Sequence, residues 1–372
     1  MKAIITPRTL SGTIAAIPSK SYAQRFLIAS LLSGGPFPTF ADAGDDIRAT
    51  RDAVEALRAG ERVIDCGSSA TTARILLQIL AVKYPDVSLT CSDQLKSRPL
   101  KTFINQNSHQ GDYHLRDMKS SQYISGLMFA LPLLSDDHSI LLNEPLESAG
   151  YVDMTQILLR AFNVTVESIT DDNTGWRIPG AQTYTTPDDY VIEGDWSSAP
   201  VWIAAGAQVT GLAQDTLQPD GKAFQQFCKR EGDSFHRDYR VALPRVIDVS
   251  QCPDLTPVLA VMAAVSAGST RITGTSRLRI KESDRIKTVV DLLYTLGGVV
   301  ETKGDDIIIQ GLDFLRGGTI DAHDDHRIVM AATLASCWCT DTVIIEGAEA
   351  VGKSYPTFFN DFHALGGHVA FE

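Results

Sequence analysis

Six segments of the chain share one hydrophobic pattern. Each opens with a small polar cluster and runs into Ala, Leu, Ile or Val with almost no polar face. They are SYAQRFLIASLLSGG from Ser21, SSATTARILLQIL from Ser68, SSQYISGLMFALPLL from Ser120, SSAPVWIAAGA from Ser197, PDLTPVLAVMAAVSAG from Pro253 and DDHRIVMAATLAS from Asp324. A helix that is apolar all round belongs in an interior, so each segment predicts a buried helix with a polar N-terminus. Between them lie short alternating runs such as YVIEG, DIIIQG and TVIIEG, and amphipathic stretches such as IKTVVDLLYTLGG. This mixture predicts an α/β fold of repeated units, with sheets and outer helices around buried inner ones. The opening MKAIITPRTLSGTIAAI alternates polar and apolar residues and predicts a strand pair rather than a signal peptide. Helix N-termini present free N–H groups that favour anions. Any one polar cluster is explained equally well as a simple N-cap. Six of them, with basic residues alongside, suit a multiply anionic substrate.

Composition narrows the class. The chain has 372 residues, 44% of them hydrophobic, which predicts two domains. No run of 18 apolar residues exists, so no membrane-spanning helix is expected. The net charge of −12, with no Lys/Arg cluster, argues against a nucleic-acid partner. An anionic substrate would need a local basic pocket that opposes this field. Cys66, Cys91, Cys228, Cys252, Cys337 and Cys339 are scattered without a zinc spacing. A disulfide framework is not expected at this size, and the reading is a reducing, cytoplasmic compartment.

One segment suggests nucleotide chemistry. GAEAVGKS, residues 347 to 354, fits the phosphate-binding pattern G-x-x-x-x-G-K-[ST], between an apolar run and an amphipathic stretch. The context argues against it. Only 19 residues follow Lys353, too few for the later strands and magnesium-binding Asp that such a loop requires. Glu349 would also put a carboxylate inside the phosphate cradle. Lys353 remains a candidate anion contact.

The strongest chemical signal is LRIKESDRI, residues 278 to 286, where Arg279, Lys281, Glu282, Asp284 and Arg285 precede an amphipathic helix. A solvated charged face is the default reading, but a carboxylate flanked by cations can be tuned as an acid or base. Here the sequence resembles the 5-enolpyruvylshikimate-3-phosphate (EPSP) synthase family. IPSKSYAQR, DCGSSATTAR, SRPL, SSQYISG, SAGYVDMT, EGDWSSA, CPDLTP, LRIKESDRI, DDHR and KSYP occur in that family's order, from about residue 17 to residue 365. The resemblance implies a two-domain inverse α/β barrel-like fold, each domain of three βαβαββ units around buried helices. It places the domains at 20–193 and at 1–19 with 194–372, with the active site in the cleft between them.

It also implies the reaction: transfer of the enolpyruvyl group of phosphoenolpyruvate (PEP) to the 5-hydroxyl of shikimate 3-phosphate, with release of phosphate and no metal or organic cofactor. Asp254 and Glu282 match the family's base and acid, and Lys20 matches a catalytic contact to both substrates. Ser21, Arg25, Ser120, Ser121, Gln122, Ser148, Tyr151, Asp254 and Lys281 match shikimate 3-phosphate contacts. Arg98, Gln122, Arg285, Arg327 and Lys353 match the PEP clamp, and His326 orients Arg327 or a reacting group, or is simply structural. The clamp residues come from both domains, so closure on substrate is expected. Partners are the two small-molecule substrates, with no nucleic acid and no membrane, and the chain is expected to be a monomer.

Two departures stand out. Ala70 occupies a position where the family commonly has glycine beside PEP, which predicts weak inhibition by the longer inhibitor glyphosate. The chain is also short for the family, and 194–253 looks trimmed, as if a strand hairpin were missing. The rival readings are the cell-wall enolpyruvyl transferase, which shares the chemistry but takes a uridine-linked sugar, a binding protein that has lost catalysis, and an ATP-dependent enzyme.

Overall fold

The apolar segments form helices buried on nearly every side: Lys20–Ser33, Ala70–Lys83, Ser121–Ala130, Ala199–Ala204, Thr256–Ala264 and His326–Ala335. The computed structural model describes residues 1–104, 111–116, 120–169, 171 and 174–372. The chain divides into two units, one of Lys20–Ile192 and one of Met1–Ser19 with Glu193–Glu372.

The unit carrying both termini has three four-stranded sheets. Their strand orders are Gly318–Asp321, Val343–Glu346, Lys2–Thr6, His368–Phe371; then Cys228–Glu231, Ser234–Arg237, Gln208–Thr210, Thr13–Ala15; then Val246–Asp248, Ser269–Thr273, Asp306–Gln310, Val299–Lys303. Each sheet has one parallel pair, and a buried helix of this unit precedes the second strand of each pair: Ala199–Ala204 before Gln208–Thr210, Thr256–Ala264 before Ser269–Thr273, and His326–Ala335 before Val343–Glu346. A parallel pair needs such a crossover, which puts the helix on the sheet face. The three crossover helices of this unit touch one another pairwise. Leu259, Val261, Ile328, Val329 and Ile203 lie in one shared core with Trp202 and Phe358.

The other unit is built more sparingly. Asp112–Leu115, His138–Leu142, Gly175–Ile178 and Glu167–Ser168 form a four-stranded sheet. Val63–Asp65 and Ser88–Thr90 form a parallel pair with no following hairpin among the described residues. Helices Lys20–Ser33 and Asp45–Ala59 pack together with no described strand between them. Within this unit, helices Ala70–Lys83 and Ser121–Ala130 meet closely at Gly126. A Cβ there would stand 3.0 Å from the Arg74 carbonyl oxygen and 3.1 Å from the Ile75 Cα.

The two-domain α/β architecture follows the sequence reading, and three details differ. The segment 194–253 is not trimmed: Gln208–Thr210, Cys228–Glu231 and Ser234–Arg237 complete a four-stranded sheet. The sparing stretch is 20–59, where helix Asp45–Ala59 follows helix Lys20–Ser33 with no described strand between them. The opening strands Lys2–Thr6 and Thr13–Ala15 form but join different sheets. YVIEG makes only an isolated bridge, Gly194 to Pro18. Val191 is 90% exposed, so alternation there does not mark a buried face.

GAEAVGKS does not form a phosphate loop. Ala348–Lys353 winds into 3-10 turns with Lys353 at their end. The Glu349 carboxylate pairs with the chain's own amino terminus at 3.1 Å.

Candidate active site

In the unit with both termini, four sequence-predicted residues touch one another. Pro253–Leu255 makes a 3-10 turn before helix Thr256–Ala264, and Asp254 does not act as a side-chain cap. Its Oδ1 instead accepts hydrogen bonds from Lys281 Nζ at 3.0 Å and Arg285 Nη1 at 2.6 Å. Arg285 opens helix Arg285–Thr295, whose N-cap is Asp284. Its Nη2 donates to Glu282 Oε2 at 2.8 Å. Arg285 is 1% exposed, yet it is charge-compensated because its planar fork reaches several carboxylates at once.

A carboxylate without an assigned role in the sequence organises this array. Asp325 is fully buried. Its two oxygens accept from Arg285 Nε at 2.8 Å and Nη2 at 3.1 Å. Oδ2 also takes Ser283 Oγ at 2.9 Å, and Oδ1 caps the next helix at the Arg327 backbone N–H, 2.9 Å away. One side chain therefore holds the Arg285 guanidinium and the Arg327 backbone, two of the three predicted clamp arginines. His326 stands beside it, Nδ1 3.7 Å from Asp325 Oδ1. Arg327 donates through Nη1 to the Ser197 carbonyl. Lys353 is buried.

Electrostatics separate the carboxylates. Burial alone would push Asp254 up, but Lys281, Arg285 and Arg327 together hold it well below the usual carboxylate range. Burial lowers the Lys281 pKa, a shift that Asp254 opposes. Asp220 moves the other way. Burial first, then the Asp254 charge, pushes it up to about 7, against the Ser197 hydroxyl bond and Arg327. Between about pH 4 and about pH 7 the native protein then binds more protons at Asp220 than the unfolded chain, so stability falls as pH rises. Asp220→Asn should flatten this slope, shrinking the loss of Tm from about pH 5 to about pH 8 by several degrees. Equal Tm slopes in the variant and the parent would contradict the shift.

In the other unit the predicted residues gather at helix starts. Lys20 Nζ bonds Asp46 Oδ2 at 2.8 Å. Arg25, 1% exposed, donates to Thr155 Oγ1, the Ser21 carbonyl, Ser125 Oγ and the Tyr151 carbonyl at 2.9–3.3 Å. Burial lowers its pKa to about 10. Its fork is thus spent on the protein, bracing Ser21 and Tyr151. Ser120 caps helix Ser121–Ala130 through the Gln122 N–H at 3.4 Å. Ser148 is buried with φ +58°, ahead of helix Gly150–Ala161, which carries Tyr151. Ala70 is buried at the first position of its helix, which Ser69 caps. Arg98 follows the short helix Asp93–Lys96, its N–H on the Leu95 carbonyl at 3.0 Å.

Sequence reasoning missed Asp46, Arg74, Asp220 and Asp325. Asp46 and Asp325 each sit at a helix start directly after another Asp, a signal that reads first as capping. Arg74 and Asp220 carried no local signal.

Paired carboxylates of divergent character around buried guanidinium groups are equipment for proton transfer on an anionic small molecule. The fold and this array define an α/β enzyme of the enolpyruvyl-transferase type, as the comparisons with known proteins make specific. The family model for EPSP synthase (3-phosphoshikimate 1-carboxyvinyltransferase) matches residues 102–362. The 3-phosphoshikimate 1-carboxyvinyltransferase of Clostridium kluyveri is 37% identical over 421 aligned positions, covering 98% of this chain and 97% of that one. That of Clostridioides difficile is 33% identical over 428 positions, with 98% and 97% coverage. Among solved structures, EPSP synthase from Acinetobacter baumannii superposes with a TM-score of 0.75 at 21% identity over 100% of both chains. The enolpyruvyl transferase NikO from Streptomyces tendae gives 0.67 at 13% identity, over 99% and 98%. The chain belongs to the EPSP synthase family. Both bacterial alignments run past the 372 residues of this chain, so the relatives carry segments it lacks.

Proposed function

We propose that this protein transfers the enolpyruvyl group of PEP to the 5-hydroxyl of shikimate 3-phosphate, a step of the shikimate pathway towards chorismate and the aromatic amino acids. The observation that carries the reading is the Asp254–Lys281–Glu282–Arg285 array in a chain of this family.

In this reading Asp254 takes the proton of the 5-hydroxyl as that oxygen attacks C2 of PEP. Glu282 gives a proton to C3, making a methyl group in a tetrahedral adduct. A methyl proton then returns to the Glu282 carboxylate as the C2–O bond to phosphate breaks, and the proton taken by Asp254 leaves with the phosphate. Asp254 held far below the usual range is a weak base. Lys281 and Arg285, which hold it, are also the cations assigned to shikimate 3-phosphate and PEP. Substrate anions that draw them away would restore its basicity at the moment of need. Arg98, Gln122, Arg327 and Lys353 bind PEP, and Lys20 serves both substrates. Ser21, Arg25, Ser120, Ser121, Ser148 and Tyr151 serve shikimate 3-phosphate, with Arg25 bracing from behind. The protein works as a cytoplasmic monomer; among the described residues no helix is long and apolar enough to cross a membrane.

The addition–elimination course has a direct test. In deuterium oxide, PEP recovered from partial turnover should carry deuterium at C3 only when shikimate 3-phosphate is present. Product without deuterium would rule out the methyl intermediate.

Ala70 sets a second expectation. Its methyl group narrows the space assigned to PEP, where glyphosate needs more room. Ala70→Gly should tighten glyphosate inhibition by about tenfold or more, the scale of relieved steric crowding, with PEP KM changed little. Tight inhibition of the unaltered enzyme would contradict this.

A further inference from the structure

Arg74 lies one turn into helix Ala70–Lys83 and is buried. Its Nη1 donates to Gln122 Oε1 at 2.6 Å. Its Nε and Nη2 both donate to the Pro99 carbonyl at 3.3 Å. That carbonyl also accepts Tyr123 Oη at 2.5 Å, and the guanidinium lies 5.4 Å from the Tyr123 ring centre. Gln122 in turn gives Nε2–H to Thr71 Oγ1 at 2.7 Å. The close helix approach at Gly126 brings these groups together.

We infer that Arg74 is a positioning residue for PEP, acting through the amide orientation of Gln122 and the placement of the Arg98 segment. The inference rests on the enolpyruvyl-transfer reading, in which Gln122 and Arg98 contact PEP. A glutamine amide has a donor end and an acceptor end that are nearly equal in shape. Turned one way it attracts an anion, and turned the other way it repels one. A guanidinium has donors only, so it accepts only the oxygen end as its neighbour. Arg74 therefore commits the amide oxygen of Gln122 to itself and leaves the N–H end towards Thr71, next to Ala70. The short charge-assisted bond also polarises the amide and makes the remaining N–H groups better donors. Through Pro99, the same guanidinium pins the residue that follows Arg98.

The chemistry of position 74 makes the test selective. Lysine is also a donor-only group, whereas glutamine can offer either end to Gln122. Arg74→Gln should raise PEP KM about tenfold or more, the scale of one charge-assisted hydrogen bond, while kcat stays within about threefold. Arg74→Lys should recover most of that loss. A purely structural role would lower Tm and the active fraction without this split, and would not distinguish Lys from Gln. Gln122→Ala, assayed alongside, separates the two levels. If it raises PEP KM but the Arg74 variants match the parent or one another, Arg74 does not position Gln122. If Gln122→Ala leaves PEP KM unchanged, the assignment of Gln122 to PEP fails, and the inference falls with it. Should Arg74→Gln fold poorly, Tyr123→Phe removes only the second hold on Pro99. It should raise PEP KM by about threefold, and an unchanged KM would overturn the Arg98 half of the inference.

Discussion

Asp325→Asn is expected to lower kcat/KM for PEP by about 10²–10³, with a clear fall in Tm, the scale of breaking a buried ion pair by removing one partner. The carboxylate takes two bonds from Arg285, one from Ser283 and one from the Arg327 backbone. Asparagine can keep the helix cap with its oxygen. Its NH₂ must then face the Arg285 guanidinium, donor against donor, where the carboxylate accepted. Arg285 would keep Asp254 and Glu282 as partners and shift towards them. That movement tightens the hold on the proposed base and misplaces the proposed PEP contact. The loss should therefore appear in both KM and kcat. Steady-state kinetics with a thermal melt would check this. A variant with PEP KM within twofold of the parent would show that Asp325 only caps the helix.

Glu282→Gln should act more narrowly. The amide oxygen can still accept from Arg285 Nη2, so packing and Tm should change little. It cannot supply the proton for C3, and kcat should fall by about 10²–10⁴, the usual scale for a lost general acid. KM for both substrates should stay within a few-fold. Deuterium incorporation into PEP should slow in proportion to kcat. Near-normal turnover would remove Glu282 from the mechanism.

Much of this was legible in the sequence because it is local. A helix apolar all round declares its burial, and all six such segments are buried helices. KESDR places Lys281, Glu282 and Arg285 within five residues, so the Arg285–Glu282 pair needs only one helix start. What the sequence hid is non-local or ambiguous. Asp325 reads as a cap, and it is one; its second task depends on Arg285, which is 40 residues away. Arg74 sits in a helix whose pattern says only that it is buried. Its partners, Pro99 and Gln122, arrive through a close helix contact that one glycine permits. Strand pairing was misread for the same reason. Alternation identifies Lys2–Thr6 and Thr13–Ala15 as strands but does not say which edges they join. Chain length marks the protein as short for its family but does not say where, and the stretch between Glu193 and Asp254 keeps its hairpin, Cys228–Glu231 with Ser234–Arg237. The economy lies instead where two well-patterned helices follow each other without strands.

The most direct test is phosphate release by the purified protein, mixed with PEP and shikimate 3-phosphate in the absence of added metal and nucleotide. The account predicts release only when both substrates are present, equal in amount to the enolpyruvyl product formed. Release with PEP and UDP-N-acetylglucosamine instead, or no release with either acceptor, would contradict it.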